Sequence, residues 1–266
     1  MIKPFPRLLQ REPQMTIALG LRCFDGLVLC ADSLEEDGVT KRHVDKLWTY
    51  EVQDNWGVAI ASAGEADLAD SFTDGLKDIF GNSDFDEVIL LSKLRTALRS
   101  VRLSYPDSEF GFLAAVFGIP TLYSRLFRVL DQSSHLGPVR HYQTLGTGGA
   151  LGTFLASQLF SISMCVEEGV RLGAFILARV KECTNGCGGP TSIISYGGTG
   201  NSMTSFRLWG RGEIDAIETE LSGQKMKDYM WQFWKENNPA PRFEPARVEL
   251  GGKSRGVRTA RLNTKR

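Results

Sequence analysis

A hydroxyl and a carboxylate are brought together early in the chain. The stretch from Thr16 to Ser33 reads T-I-A-L-G-L-R-C-F-D-G-L-V-L-C-A-D-S. Two apolar runs, Ile17 to Cys23 and Leu27 to Ala31, flank Phe24-Asp25-Gly26. Asp-Gly between β-type runs is a strong hairpin signal. The spacing therefore predicts a β-hairpin with Thr16 at its first residue and Asp32 at its last. Both ends of an antiparallel hairpin lie together, so Thr16 and Asp32 fall side by side. A Thr hydroxyl is a poor nucleophile at neutral pH and needs a base. The usual base is scarce here, since the chain holds only His43, His135 and His141.

Further along, the same kind of order continues. Val44-Asp45-Lys46-Leu47-Trp48 places a lysine at the entry to a strand, and Val58 to Gly64, V-A-I-A-S-A-G, reads as a buried strand. Leu145-Gly146-Thr147-Gly148-Gly149 precedes a helical pattern. This ordered set resembles a proteasome β subunit and, equally, the peptidase subunit of the bacterial two-component ATP-dependent protease. Both belong to the N-terminal-nucleophile hydrolases, whose mature chain opens on the catalytic Thr. The matches run from Thr16 to about Trp209, with a slightly short connection before Lys46. The resemblance implies a four-layer αββα sandwich, an α+β fold of two antiparallel sheets flanked by helix pairs. It also implies a threonine-type endopeptidase that hides its active face in a ring of identical subunits, and it implies no cofactor. Peptide or protein would be the substrate, and an ATP-dependent unfoldase a candidate partner.

On that reading, Thr16 supplies both nucleophile and base. A chain-terminal amine has an ordinary pKa of about 7.7–8.0, so much of it is neutral near neutrality and can take the hydroxyl proton. Lys46 is the candidate ammonium that steadies the hydroxyl and lowers the amine's pKa. Asp32 is its candidate counter-charge. Gly64, at a strand-to-helix turn, is the candidate backbone N–H for the developing oxyanion. Thr147 and Gly149 match positions that in the family help hold the amine. The family's Asp and Ser in a late D-x-x-S-G turn are missing, because Thr184-Asn185-Gly186-Cys187-Gly188-Gly189 stands there. Read singly, Thr16 is also an ordinary strand threonine, Asp32 a turn residue, Lys46 a solvated lysine and Cys187 a small residue in a tight turn.

Thr16 must be exposed for this chemistry. Met15 precedes it, so either translation starts at Met15 and the Met is trimmed, or residues 1–15 are a cleaved propeptide. If neither happens, Thr16 stays internal and the chain reads as a catalytically inactive ring subunit of the same fold; with Thr16 exposed, an N-terminal-nucleophile hydrolase of small amides is the other alternative.

Elements must hold these residues in place. The pattern predicts strands over 44–51 and 56–62 with a turn at Asp54-Asn55, then helices over 65–80 and 85–105, the second capped from Gly81-Asn82-Ser83-Asp84. Strands follow over 109–117, 122–130 and 140–145, then helices over 150–160 and 166–184. A last hairpin, 191–196 with 203–209, leads to a helix over 213–235. Helices in pairs between antiparallel hairpins suit two stacked sheets rather than βαβ winding. Residues 1–15 are Pro-broken, 16–236 form the domain, and the Pro-, Gly- and Arg-rich 237–266 read as a disordered tail.

Composition narrows the field. Lys plus Arg equals Asp plus Glu, 31 each, so no net field favours nucleic acid or an anionic membrane. Five cysteines without a C-x-x-C pair suit reduced thiols in a cytoplasmic protein. No signal-peptide core and no apolar run of about 20 residues is visible. The 145–152 glycines miss the dinucleotide-loop register, with Leu151 at the third Gly position. Gly252-Lys253-Ser254 lacks a phosphate loop's first Gly, since Arg247 stands there.

Overall fold

The opening hairpin lies at the heart of the first sheet. A computed structural model describes residues 16–36, 40–52, 55–80, 86–106, 110–118, 123–129, 135–197 and 206–221. Strand β1 (Ala18–Cys23) turns through Phe24 and Asp25 into β2 (Gly26–Asp32), pairing Ala18 with Ala31 and Cys23 with Gly26. After β3 (Leu34–Glu36) and β4 (Lys41–His43), β5 (Leu47–Val52) and β6 (Trp56–Gly64) begin the second sheet. Helices α1 (Ala66–Phe80) and α2 (Glu87–Ser104) come next, then β7 (Phe110–Gly118), β8 (Tyr123–Val129), β9 (Gly137–Val139) and β10 (Tyr142–Leu145). Helices α3 (Gly149–Leu159) and α4 (Val166–Cys183), β11 (Thr191–Gly197), β12 (Arg207–Leu208) and α5 (Arg211–Leu221) complete the order.

Two five-stranded sheets result, ordered β10-β1-β2-β11-β12 and β5-β6-β7-β8-β9, with every pairing antiparallel. Alternation along each strand sorts the side chains into three apolar layers. On β6, Val58 and Ile60 face α1 and α2, meeting Leu68, Phe72, Leu94 and Leu98. Ala59, Ala61 and Ala63 face the other sheet, with Leu27 and Leu29 of β2. Opposite them, Val28 and Cys30 pack under α4 with Val170 and Ile176, and α5 adds Ile214. Buried on both faces, the central strands read as continuous apolar runs. The architecture is the four-layer αββα sandwich, two antiparallel sheets between helices, that the resemblance implies.

Several boundaries differ from the pattern-based ones. The third expected strand starts at Leu47, not Val44, which leaves Lys46 on a connection before it. A hairpin of β3 and β4 precedes that connection as its own two-stranded sheet, pairing Glu35 with Arg42 and Glu36 with Lys41. Its residues are charged rather than alternating, so hydrophobic periodicity passes over it. The cap of α2 is Asp86, whose side chain accepts from the Ile89 N–H at 3.0 Å. The acidic turn residue Asp25 also caps, accepting from the Val166 N–H at the start of α4 at 2.9 Å. Residues 1–15, 81–85, 198–205 and everything after Leu221 lie outside the described residues.

Candidate functional site

Thr16 lies just ahead of β1, where its carbonyl and side chain are gripped from opposite directions. Its carbonyl accepts from the Gly148 N–H at 3.1 Å. Gly146 sits beneath with φ +84, and a Cβ there would lie 2.3 Å from that carbonyl oxygen. Only a residue without a side chain fits so close an approach in the left-handed region. Main-chain pairing continues with Asp32 N–H donating to the Ile17 carbonyl at 3.2 Å. The hairpin ends therefore meet as its register predicts.

The Thr16 Oγ1 hydroxyl donates to Asp32 Oδ1 at 2.7 Å. Lys46 Nζ donates to Thr16 Oγ1 at 2.5 Å and to Asp32 Oδ1 at 2.9 Å. A third Lys46 proton reaches the Leu34 carbonyl, so all three ammonium donors are used. Asp32 is saturated as well: Oδ1 also accepts from the Ile17 N–H at 3.1 Å, and Oδ2 from the Gly188 N–H at 2.9 Å. All three side chains are buried, with Thr16 at 2%, Asp32 at 1% and Lys46 at 6% exposure. The solvated-lysine reading of Lys46 is thereby overturned. A buried charge pair is tolerated only when its remaining hydrogen-bonding capacity is met, as it is here.

The other sequence-derived positions lie around this centre. Gly64 ends β6 at φ +109, two residues past Ser62, whose N–H donates to the Lys46 carbonyl at 3.0 Å. The 145–149 turn does approach Thr16, but through Gly148. Thr147 sits on the exposed corner of the turn. Gly149 spends its N–H on Gly146 at 2.8 Å, and its carbonyl accepts from Thr144 Oγ1 at 2.8 Å. Leu34, Gly148 and Gly188 were not singled out from sequence, because each acts through a backbone atom and leaves no signature in residue type. Cys187 lies beside the site. Burial first, then the Asp32 carboxylate, pushes its thiol up to about 12, against a lesser opposing pull from Lys46. It is a filler of the turn rather than a reactive thiol. Among the described residues no group of three or more His, Cys, Asp or Glu could hold a metal ion.

Solved structures with this arrangement of elements exist. A mutant of Anbu from Hyphomicrobium sp. strain MC1 matches with a TM-score of 0.67 and 15% identity, covering 80% of this chain and 96% of that one. Anbu, described as an ancestral beta-subunit, from Yersinia bercovieri matches with 0.67 and 14%, at the same coverage. The helical assembly of the Anbu complex from Pseudomonas aeruginosa gives 0.67 and 14%, over 82% of this chain and 96% of that one. The fold is shared with Anbu. No protein-family model and no curated protein matches the sequence. The resemblance to proteasome β subunits and to the bacterial two-component peptidase is corrected accordingly: it does not amount to membership of that family. Its motifs are a hairpin turn, a buried strand and a Gly-rich turn, which the sandwich itself requires. Chains of this fold can carry them without close kinship.

Proposed function

We propose that the protein is a threonine-type amide hydrolase, an endopeptidase, with Thr16 as N-terminal nucleophile once the bond ahead of it is cut. The observation that carries this reading is the Thr16 hydroxyl buried between the Lys46 ammonium and the Asp32 carboxylate. An ammonium 2.5 Å from Oγ1 stabilises that oxygen as it becomes an alkoxide. Asp32 orients the ammonium at 2.9 Å, and at 2.7 Å it fixes the hydroxyl rotamer. The terminal amine of Thr16 takes the hydroxyl proton, directly or through one water. Oγ1 then attacks the substrate carbonyl to give a tetrahedral oxyanion facing the Gly64 N–H. Collapse expels the amine fragment, protonated from the Thr16 ammonium, and water releases the acyl group. Gly148 and Gly146 hold the Thr16 main chain during both steps, with Thr147 and Gly149 shaping that turn.

Self-association belongs to the same proposal, since Anbu of the same fold has been solved as a helical assembly. An ATP-driven unfoldase would feed folded substrates to such an assembly. Among the described residues no helix is long and apolar enough to cross a membrane.

The test is the N-terminal residue of protein purified from its own cells, combined with a peptide β-lactone probe. A chain beginning at Thr16 and acylated there supports the proposal. An intact leader with no acylation overturns it and leaves a structural subunit. Light scattering on the same sample reads the assembly.

A further inference from the structure

We propose that Lys181, Thr191 and Glu218 act as a positioning clamp for the candidate active site, holding the 186–191 turn so that Gly188 keeps its N–H on Asp32. The inference rests on the reading of Thr16 as nucleophile, and it adds residues none of which touches Thr16.

Lys181 projects from the last turn of α4. Its Nζ donates to Thr191 Oγ1 at 2.6 Å, to Glu218 Oε1 on α5 at 3.1 Å and to the Gly189 carbonyl at 3.2 Å. Thr191 Oγ1 in turn donates to Glu218 Oε1 at 2.5 Å. All three ammonium donors and the hydroxyl proton are thus committed to one closed cluster. The side chains are largely covered, at 14% exposure for Lys181 and 24% for Glu218, unlike the solvated ion pairs that contribute little.

The cluster's location assigns it a role. Thr191 is the first residue of β11 and lies directly opposite Asp32 in the β2–β11 register. Gly189, whose carbonyl Lys181 holds, follows the residue that donates to Asp32. On the other side, Gly189 has φ +70, and a Cβ there would meet His43 Nδ1 and Ser33 Oγ at 2.6 Å. The turn is therefore pinned between the β3–β4 hairpin and the clamp. Beyond it the contacts form a ring. The Gly188 N–H donates to Asp32, its carbonyl accepts from the Leu34 N–H at 3.1 Å, the Leu34 carbonyl accepts from Lys46, and Lys46 returns to Asp32. A shift of Gly188, which carries both the N–H and the carbonyl, opens this ring at Asp32 and at Leu34 together. Lys181 and Glu218 are positioning residues, reaching the chemistry only through Gly188.

The experiment compares the purified native protein with Lys181→Met, Thr191→Val and the conservative Thr191→Ser. Three readouts are taken: hydrogen exchange at the Gly188 amide, the acylation rate of Thr16 by a saturating peptide β-lactone, and Tm. Loss of a charge-assisted hydrogen bond corresponds to a factor of about 10 or more. The clamp predicts Gly188 exchange faster by about that factor in Lys181→Met and Thr191→Val. It predicts acylation slowed about 10-fold at saturation, with the probe's half-saturating concentration within about two-fold. Thr191→Ser stays near wild type in all three. If Lys181→Met fails to fold, Glu218→Gln replaces it with the same expectations at smaller size. Unchanged Gly188 exchange overturns the clamp, as does faster exchange spread equally over β1 and β6, which marks general destabilisation. Gly188 exchange does not require Thr16 to react. A wild-type protein that is never acylated therefore removes the nucleophile reading, whereas unaltered exchange in the variants removes the clamp alone.

Discussion

Removing the Lys46 charge leaves Asp32 buried at 1% exposure without its counter-ion. Three donors remain to it, the Thr16 hydroxyl and the Ile17 and Gly188 amides. Breaking such a pair costs about 3 kcal/mol or more. Lys46→Met should therefore lower the unfolding free energy read from a urea titration by that amount and abolish acylation of Thr16. Thr16→Ala should abolish acylation at a smaller stability cost, about 1–2 kcal/mol, because one hydroxyl is lost and the charge pair stays. Equal losses of stability in the two variants would contradict this ranking. Cys187 gives a separate check at the same scale. With its thiol held near pKa 12, only about one in 10,000 is thiolate at pH 8. Iodoacetamide at pH 8 should label exposed Cys183 and spare Cys187 until denaturant is added. Peptide mapping reads the result.

At the scale of elements, two glycines make opposite predictions. Gly146→Ala places a methyl 2.3 Å from the Thr16 carbonyl at a φ that side chains avoid, and should cost about 2 kcal/mol or more. Gly75→Ala in α1 meets nothing within 4 Å and should gain about 0.5–1 kcal/mol. Thermal unfolding of both variants checks the pair. The turn holding Gly146 shows how far sequence could go. Its glycines marked a turn before a helix, and the Asp-Gly turn announced that Thr16 and Asp32 would meet. Both are short-range signals carried by residue type. The atom that reaches Thr16, however, is the Gly148 N–H rather than any group of Thr147 or Gly149, and backbone donors are anonymous in sequence. The β3–β4 hairpin was illegible for another reason. Its Glu35 and Glu36 stand opposite Arg42 and Lys41, and no apolar alternation advertises it. Clamp residues such as Glu218 were invisible because Lys181 and Thr191 meet it only through tertiary packing.

For the whole molecule, one tie between the sheets is aromatic. Phe117 of β7 stacks on Tyr196 of β11 with ring centroids 4.2 Å apart, and Phe206 closes edge-on at 5.0 Å. Phe117→Ala should cost about 3–5 kcal/mol, and Phe117→Leu much less. Unfolding followed by far-ultraviolet circular dichroism and by tryptophan fluorescence should give one coincident transition, since both sheets share the middle apolar layer. Separate transitions would mean that the layers unfold independently. The grip on Thr16 carries a consequence for timing. Its hydroxyl is held by Asp32 and Lys46 and its carbonyl by Gly148. On the proposed reading, cutting the bond before Thr16 would free an amine on the very residue whose hydroxyl is already oriented.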